Sequence, residues 1–308
     1  MGVVLALRAL GLGDLLTAVP ALRGLRAAHP EDRLVLAAPA WLTPLAALTG
    51  CVDAVHPTSG LGALHWPRPA PALAVNLHGS GPQSIDDLLA LEPERLVTHS
   101  NPSRPTVEGP AWDAGEHEVR RWCLLLEQAG IPCDPTALAL ERPGPSPAPG
   151  CVVVHPGGSS GARRWPPERF AAVVRALSAH GAEVVVTGSA DERALAEKVG
   201  TTLPPSAIRA GRDDLAALAA LVAEAALVVT NDTGVGHLAT AYGTRSVLIF
   251  GPNPPAWWGP PADRPQHTAL WSGELGDPHG STPTPGLLAI TVGNVRAAVE
   301  AHLSTLTR

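Results

Sequence analysis

The segment LVVTNDTGVGHL at residues 227–238 carries residue types that could bind an anion. Its apolar run predicts a buried strand that ends at Asn231 and turns directly into a helix. A turn of this kind leaves several backbone N–H groups unpaired, and the helix dipole adds positive potential at the same place. The segment therefore predicts a site for a phosphate or a similar group. The candidate ligand-binding residues in it are Asp232, Thr233, Gly234, Val235, Gly236 and His237.

A second segment upstream, CVVVHPGGSSGARRWP at residues 151–166, has the same design. It predicts a strand that runs into a glycine turn containing Gly158 and Ser159, and Arg163 and Arg164 follow this turn. Arginine side chains form charge-assisted hydrogen bonds with phosphate oxygens. Two anion-binding turns in one half of the chain indicate a ligand that carries a diphosphate.

A carboxylate near the N-terminus could act as a general base. Asp14 follows the glycine turn 11–13, where a predicted strand at 3–9 meets a predicted helix at 15–28. A side chain at the carboxyl end of such a strand faces the ligand in open parallel sheets. General-base catalysis is typically worth about 10²–10⁴-fold in rate. The turn has the spacing GxGxxL rather than GxGxxG, which argues against a plain dinucleotide site.

Each of these candidates also has a purely structural interpretation. Helix capping would explain the two aspartates and the threonine. Core packing would explain the histidine. A solvated pair over Trp165 would explain the two arginines. The tryptophan pair at 257–258 could stack on a ligand, but it fits the packing of a proline-rich loop better. The residues to which the first three alternatives apply are Asp14, Asp232, Thr233, His237, Arg163 and Arg164.

The composition fits a two-domain protein with sizeable cores. The chain has 308 residues, of which 45% are hydrophobic and 16% charged, and its formal net charge is −6. This length suits two domains of about 150 residues each. Binding to duplex nucleic acid calls for a basic surface, so no nucleic-acid partner is expected.

The sequence offers no recognisable metal site and no membrane span. Its four cysteines form no CxxC pair, and it contains neither Asp-x-Asp nor HExxH, so neither a metal nor another cofactor is expected. The cysteine usage favours a reduced, cytoplasmic compartment. Arg8 and Asp14 interrupt the apolar N-terminus, which therefore predicts neither a signal peptide nor a transmembrane helix.

Short strands alternate with helices along most of the chain, which is typical of parallel sheets built from right-handed βαβ units. The predicted strands are 3–9, 33–38, 52–56, 72–77, 151–155, 183–187, 206–209, 227–230 and 246–250, and the predicted helices are 15–28, 117–130, 167–180, 190–199, 213–225, 235–242 and 292–305.

A linker divides these elements into two halves. The run ERPGPSPAPG at residues 141–150 contains four prolines and two glycines, which disfavour a helix or a central strand. The prediction is an α/β protein with two doubly wound, Rossmann-like domains that face a cleft. They are an N-terminal domain at 1–140 and a C-terminal domain at 151–308, and the last helix could pack back on the N-terminal domain.

Several segments of the chain, taken in order, resemble the bacterial heptosyltransferases of glycosyltransferase family 9. The similarity extends over nearly the whole chain. The two glycine segments carry it most strongly, as HPGGSSGARRWPPERF and NDTGVGHLATAYGTRSVLIFGP. The other segments that carry it are VVLALRALGLGDLLTAVPALRGLR at 3–26, ALAVNLHGSGPQS at 72–84, HEVRRWCLLLEQAGI at 117–131 and ITVGNVRAAVEAHL at 290–303.

The resemblance implies a GT-B fold and an inverting, metal-independent transfer of a sugar from a nucleotide donor, best matched by ADP-heptose, to a hydroxyl group. The C-terminal domain would hold the donor, with Glu192 at its ribose. The N-terminal domain would supply Asp14 as the base and an acceptor surface that includes Gly13 and His78. The acceptor would be lipopolysaccharide core, another glycan or glycolipid, or a small molecule. A cytoplasmic monomer that is able to contact a membrane peripherally is expected.

Two departures from the family pattern bear on specificity. Arg163 stands where the family usually has lysine, which keeps the charge but replaces a point charge by a planar fork. Asn76 and His78 stand where the family usually has an acidic residue and glutamine. These two positions belong to the acceptor-facing domain, so the identity of the acceptor stays open.

Two other functions remain open from the sequence. A GT-B isomerase, such as a sugar-nucleotide 2-epimerase, would convert the nucleotide sugar without any acceptor. A noncatalytic sugar-nucleotide sensor or accessory subunit would bind the donor without turnover, and Asp14 would then be dispensable. The Gly13-Asp14 pair favours an enzyme over the accessory subunit.

Overall fold

The computed structural model describes residues 2–67 and 69–304, and the chain divides into two compact units between Glu141 and Arg142. Each unit contains one five-stranded sheet in which all paired strands are parallel. The predicted α/β class with two parallel sheets is therefore confirmed. Among the described residues, no helix is both long and apolar enough to cross a bilayer.

The first unit alternates strands with helices, because apolar runs of strand length are separated by segments of helical periodicity. Its elements are β1 (Val3–Leu7), α1 (Leu12–Ala28), β2 (Arg33–Ala38), α2 (Thr43–Ala47), β3 (Ala54–Pro57), β4 (Leu73–Asn76), α3 (Pro82–Leu89), β5 (Arg95–Val97) and α4 (Glu118–Gln128).

The first sheet has the strand order β3-β2-β1-β4-β5. Leu7 at the end of β1 lies opposite Asn76 at the end of β4. The chain runs outward in opposite directions from this pair of strands, which makes it the topological switch point of the sheet. Open α/β sheets bind their ligands beyond the carboxyl ends of the strands at such a point.

Helix α1 packs through the apolar face that the sequence predicts. Leu15, Val19, Leu22 and Leu25 have no exposed surface. Burial of one such side chain is worth about 1.5–3 kcal/mol. This apolar stripe therefore holds the first turn of α1, which contains Asp14, next to the end of β1.

The second unit continues the alternation. Its elements are β6 (Val152–His155), α5 (Pro167–Ala179), β7 (Val184–Val186), α6 (Arg193–Val199), α7 (Leu215–Ala223), β8 (Leu227–Asn231), α8 (Gly234–Tyr242), β9 (Ser246–Ile249), α9 (Pro255–Trp258), β10 (His267–Leu270), α10 (Pro285–Ala289) and α11 (Val292–Ser304).

The second sheet has the strand order β10-β9-β8-β6-β7, and its switch point lies between β6 and β8. The predicted strand at 206–209 is wrong in extent. Pro205–Ala207 form a 3-10 helix, and Ile208 alone makes a β-bridge, to Val186. Prolines 204 and 205 explain the difference, because proline has no N–H group for a sheet ladder.

The linker residues 142–150 and the last helix belong to the second unit, whereas Glu141 belongs to the first. The N–H group of Gly150 donates to the carbonyl oxygen of Glu224 at 2.8 Å. Helix α11 packs against α5 and against the strands β8, β9 and β10, and its Val295 and Val299 are buried. The predicted last residue of this helix, Thr305, lies outside the described residues.

Several short elements were not predicted from the sequence, because short polar segments and segments rich in proline and glycine give weak periodicity. No element was predicted between residues 250 and 292, yet this stretch contains a full strand at the edge of the second sheet. The elements that the sequence prediction missed are α2, α3, β5, α9, β10 and α10.

The cysteines also differ from expectation. The sequence favoured reduced cysteines, whereas the structure joins Cys123 in α4 to Cys133 by a disulfide bond. The chain turns back after α4 at Gly130, which has a φ of 80°, and this turn brings the two Cα atoms to 5.1 Å. Cys51 and Cys151 are buried free thiols, and burial raises the pKa of Cys151 to about 12.

His267 begins the edge strand β10 and carries a titratable imidazole ring. Its Nδ1 atom lies 2.8 Å from Ser246 Oγ, and its Nε2 atom is buried without a hydrogen-bond partner. Burial lowers the pKa of His267 to about 4, and the nearby Arg264 and His302 act in the same direction. The folded protein therefore disfavours a proton that the unfolded chain accepts readily.

We expect the thermal midpoint to fall as the pH falls from about 6.5 to about 4. Within this window the unfolded chain binds more protons at position 267 than the folded chain does, so protonation favours unfolding. His267→Gln should reduce the pH dependence of the midpoint in calorimetric scans at constant ionic strength. His180→Gln, at an exposed helix end, is the control. An equal pH dependence for wild type and His267→Gln would contradict this account.

Candidate functional site

The two glycine segments lie side by side in the second unit. His155 at the end of β6 pairs with Thr230 in β8, so the turns that follow these two strands are neighbours. Both turns lie at the carboxyl edge of the sheet, at its switch point, where ligands bind in this class of fold. The structure thus brings together two segments that are far apart in the sequence.

The side chain of Asn231 holds the two turns together. Its Nδ2 donates to the carbonyl oxygens of Pro156 and Gly157, both at 2.9 Å. Its Oδ1 accepts from the N–H group of Trp165 at 3.0 Å. Asn231 has no exposed surface, so these bonds satisfy backbone groups that lie where water is excluded. The sequence predicts Asn231 only as the end of a strand.

The N-terminus of α8 has no side-chain cap. Thr233 occupies the N-cap position, but its Oγ1 atom lies 3.0 Å from Thr230 Oγ1 and does not cap the helix. Helix capping therefore does not explain Thr233. The residues Gly234 and Val235 begin the helix, and the positive end of its dipole lies at the turn without a capping oxygen. Such an end is suited to an anion.

Arg163 and Asp232 form an ion pair between the two segments. Arg163 Nη2 lies 2.7 Å from the carboxylate Oδ2 and 2.8 Å from the carbonyl oxygen of Asp232, and Nη1 lies 3.3 Å from Ser159 Oγ. The Nε atom of Arg163 is buried without an acceptor. Because an unpaired buried donor is unfavourable, the guanidinium can gain from a further anionic oxygen. Arg169 lies over the Trp165 ring, with its guanidinium carbon 5.9 Å from the ring centre.

Arg164 and Glu192 hold the glycine turn from two sides. Arg164 donates to the Gly158 carbonyl oxygen from Nε at 2.8 Å and from Nη2 at 2.6 Å. The Glu192 carboxylate accepts from the N–H groups of Gly158 at 3.1 Å and Ser189 at 2.9 Å. Burial alone would raise the pKa of Glu192, but these donors and His155 bring it below its ordinary value. Both backbone polar groups of Gly158 are therefore bonded within the protein.

A pocket lies over the start of α8. His237 and Trp258 lie together in it, with ring centroids 6.2 Å apart. Gly236 has a packing role, since a Cβ atom there would approach Leu248 Cδ2 to 2.9 Å. Trp258, for which the packing of a proline-rich loop fitted the sequence better than stacking on a ligand, is one of the residues that line this pocket. The lining residues are Asn231, Asp232, Thr233, Gly236, His237, Thr240, Leu248, Phe250, Trp258 and Pro260.

In the first unit, Asp14 lies in the first turn of α1, directly after Gly13 and at the switch point between β1 and β4. Its Oδ2 accepts from the N–H group of Gly11 at 3.1 Å, and its Oδ1 lies 3.3 Å from Arg8 Nη2. The side chain is 28% exposed. The carboxylate therefore caps the helix and is also accessible to solvent, so the structural and the catalytic interpretations of Asp14 are compatible.

His78 follows β4 at the same switch point. Its N–H group donates to Asn76 Oδ1 at 3.1 Å, and its Nδ1 is buried without a hydrogen-bond partner. Burial lowers the pKa of His78, and the positive charge of Arg8 adds to this effect, while Asp14 acts against it. The ring is therefore neutral near pH 7 and has one unused hydrogen-bonding atom.

The predicted residues thus fall into one group in each unit. Within the part of the chain that the structure describes, no three residues of the types His, Cys, Asp and Glu lie close enough to hold a metal ion. Arg8, Asn231 and Trp258 contact these groups but were not predicted to be site residues.

Comparison with known proteins identifies a family. The model described as glycosyltransferase family 9 (heptosyltransferase) matches residues 111–279, more than half of the chain. Lipooligosaccharide heptosyltransferase 2 of Haemophilus influenzae is 32% identical over 146 residues, which are 46% of this chain and 40% of that protein. The matched segment therefore spans less than half the length of this relative.

Solved structures resemble nearly the whole chain. The E. coli ADP-heptose lipopolysaccharide heptosyltransferase II is 20% identical, with a TM-score of 0.78 and 99% of both chains covered. The iron-containing dodecameric glycosyltransferase TibC of enterotoxigenic E. coli is 16% identical, with a TM-score of 0.68, and the match covers 99% of this chain and 77% of TibC. These similarities confirm the predicted GT-B fold.

We expect Asn231→Ala to destabilise the second unit, because it leaves two buried carbonyl groups and one buried N–H group without a partner. A single unsatisfied buried group costs about 1–3 kcal/mol. The midpoint of urea unfolding, followed by tryptophan fluorescence, should therefore fall clearly. Asn294→Ala, which removes an exposed cap at the start of α11, is the control and should have a small effect. Equal midpoints for the two variants would contradict the role of Asn231.

Proposed function

Because the chain belongs to glycosyltransferase family 9, we propose that it transfers a heptose from ADP-heptose to a hydroxyl group of a lipopolysaccharide-core or related glycan acceptor. The transfer inverts the anomeric centre and needs no bound metal. The observation that carries this proposal is the Arg163–Asp232 ion pair beside the uncapped N-terminus of α8. The names of the similar proteins, which are heptosyltransferases, support the donor sugar.

In this proposal the donor binds to the second unit through its diphosphate. The start of α8 supplies positive potential and N–H donors, the Arg163 guanidinium supplies the donors that Asp232 does not use, and Ser159 supplies a hydroxyl group. A charge-assisted hydrogen bond is worth about 1.5–3 kcal/mol, and a helix end about 0.3–2 kcal/mol. Together these groups offset the charge of the departing diphosphate, which many other transferases meet with a divalent metal. Glu192 would accept hydrogen bonds from the ribose.

Asp14 is the proposed general base. It takes the proton of the acceptor hydroxyl group while that oxygen attacks the anomeric carbon of the heptose. The bond from the anomeric carbon to the diphosphate breaks in the same step, and ADP leaves. Attack from the side opposite the leaving group inverts the anomeric centre. The 28% exposure of Asp14 leaves its carboxylate accessible to the acceptor.

His78 and Gly13 are the proposed acceptor-side residues. The neutral His78 ring has an unused Nδ1 atom beside Asp14, and a neutral imidazole can exchange a hydrogen bond with a sugar hydroxyl group. Gly13 precedes Asp14 and carries no side chain that would obstruct an acceptor. Assays with and without acceptor separate this proposal from the isomerase and the accessory subunit. An isomerase converts the nucleotide sugar alone, the proposed transferase turns it over only with acceptor, and an accessory subunit never does.

Asp14→Asn should abolish most turnover and leave donor binding intact. Asparagine retains helix capping but cannot take a proton, so we expect kcat to fall about 10²–10⁴-fold. ADP release from ADP-heptose with a heptose-deficient inner-core oligosaccharide measures turnover, and calorimetry measures donor binding.

The control for this variant is Asp214→Asn. Asp214 caps α7 by accepting from the Ala217 N–H group at 2.8 Å, so it shares the capping role of Asp14 without its place at a switch point. This control should keep wild-type turnover. Wild-type turnover in Asp14→Asn would exclude Asp14 as the base.

Arg163→Ala should weaken ADP-heptose binding about 10- to 100-fold in calorimetry, the loss expected for one charge-assisted hydrogen bond. Arg209→Ala, which breaks the Arg209–Asp213 ion pair outside the pocket, should leave affinity unchanged. The titrations are run with EDTA. If EDTA itself abolished binding or transfer, the metal-independent part of the proposal would fail, and unchanged affinity in Arg163→Ala would exclude the diphosphate site.

A further inference from the structure

We propose that Glu118 is a positioning residue for the base Asp14, and that it acts through the buried guanidinium group of Arg8. This inference rests on the proposed function, in which Asp14 takes the acceptor proton. Glu118 begins α4, whereas Asp14 lies in α1, and the two residues are 104 positions apart in the sequence.

Arg8 joins three elements of the first unit at the switch point. Its Nε donates to the Asp14 carbonyl oxygen at 3.0 Å, and its Nη1 donates to the Leu77 carbonyl oxygen. Its Nη2 lies 3.2 Å from Thr17 Oγ1. The guanidinium carbon also lies 4.8 Å from the centre of the Trp122 ring, a cation–π contact. The side chain has no exposed surface, so its position is fixed by these contacts.

Glu118 is the closer of the two carboxylates that share this guanidinium. Arg8 Nη2 lies 2.8 Å from Glu118 Oε1 but 3.3 Å from Asp14 Oδ1. Glu118 is itself held by the Trp122 indole N–H group at 3.0 Å and by an ion pair with Arg121. The Glu118 side chain is only 6% exposed, against 28% for Asp14. Glu118 therefore provides the main buried counter-charge of Arg8.

Because Glu118 is the closer partner of Arg8, the Asp14 carboxylate is held less tightly by this guanidinium. With Glu118 in place, Arg8 fixes the backbone of Asp14 and makes only a long contact with its carboxylate. Without the charge of Glu118, Asp14 would be the remaining carboxylate among these contacts, and attraction would draw it toward the buried guanidinium. The carboxylate would then be rotated away from the solvent side, where the acceptor must bind. A displacement of about 1 Å can cost about 10²-fold in rate.

The test is a comparison of kcat and KM in folded variants of the full chain. Glu118→Gln keeps the size of the side chain and removes its charge. We expect kcat for heptose transfer to fall about 10²-fold, with KM for ADP-heptose unchanged, because the donor binds to other residues. Glu118→Asp, which keeps the charge, should recover part of kcat. In an Asp14→Asn background, Glu118→Gln should cause no additional loss, because the two residues act through one step.

Asp213→Asn is the matched control, since Asp213 is also a buried carboxylate that pairs with an arginine, Arg209. It should lower the thermal midpoint without changing kcat. Trp122→Phe is the milder variant for the case in which Glu118→Gln does not fold. It keeps an aromatic ring over Arg8, removes the N–H donor to Glu118, and should lower kcat by a smaller factor.

Two outcomes would overturn the inference. Wild-type kcat in folded Glu118→Gln, or in Trp122→Phe if the former does not fold, would show that Glu118 serves stability alone. In that case Asp14→Asn would still be inactive and the proposed function would stand. Normal turnover in Asp14→Asn would instead overturn the proposed base and this inference together.

Discussion

The arrangement of the turns at the switch point of the second unit depends on the hydrogen bonds of the Asn231 side-chain amide. Where neighbouring parallel strands diverge into separate turns, the sheet ladder ends and backbone groups lose their partners. Asn231 donates to two carbonyl groups of one turn and accepts from an N–H group beyond it. An amide side chain can do both, whereas a carboxylate cannot donate and an apolar side chain can do neither. The ion pair and the uncapped helix then lie beside this junction.

The fold could be predicted largely from the sequence, because its central strands are continuous apolar runs between turns. Strands β1, β6 and β8 are buried along nearly their whole length, and burial on both faces of a parallel sheet requires such runs. The edge strand β10 is only partly buried. Its alternation is weak and it lies among prolines and glycines, so the sequence carries little signal for it.

The candidate site could be predicted only where a motif is local. The two glycine turns and Asp14 are visible because the glycines, the charged residues and the strand ends are adjacent in sequence. Arg8 lies within an apolar run. From the sequence, it is only a charge that interrupts the hydrophobic N-terminus, and no partner is predicted for it. Arg8 directly follows β1, whereas its partner Glu118 begins helix α4, 110 positions away. A buried ion pair between distant elements has no local pattern, so it becomes visible only when the fold brings the two side chains together.

In each unit, an arginine at the switch point forms an ion pair with a carboxylate of the protein. This pairing limits which ligands gain binding energy from the arginine. Arg163 is already neutralised by Asp232, just as Arg8 is by Glu118. A single weak anion would gain little from a guanidinium whose charge is already compensated at short range. A diphosphate is different, because it can place one phosphate at the end of α8 and offer another oxygen to the donors of Arg163 that Asp232 does not use. The geometry of the pair thus favours an extended, doubly charged ligand over a simple anion.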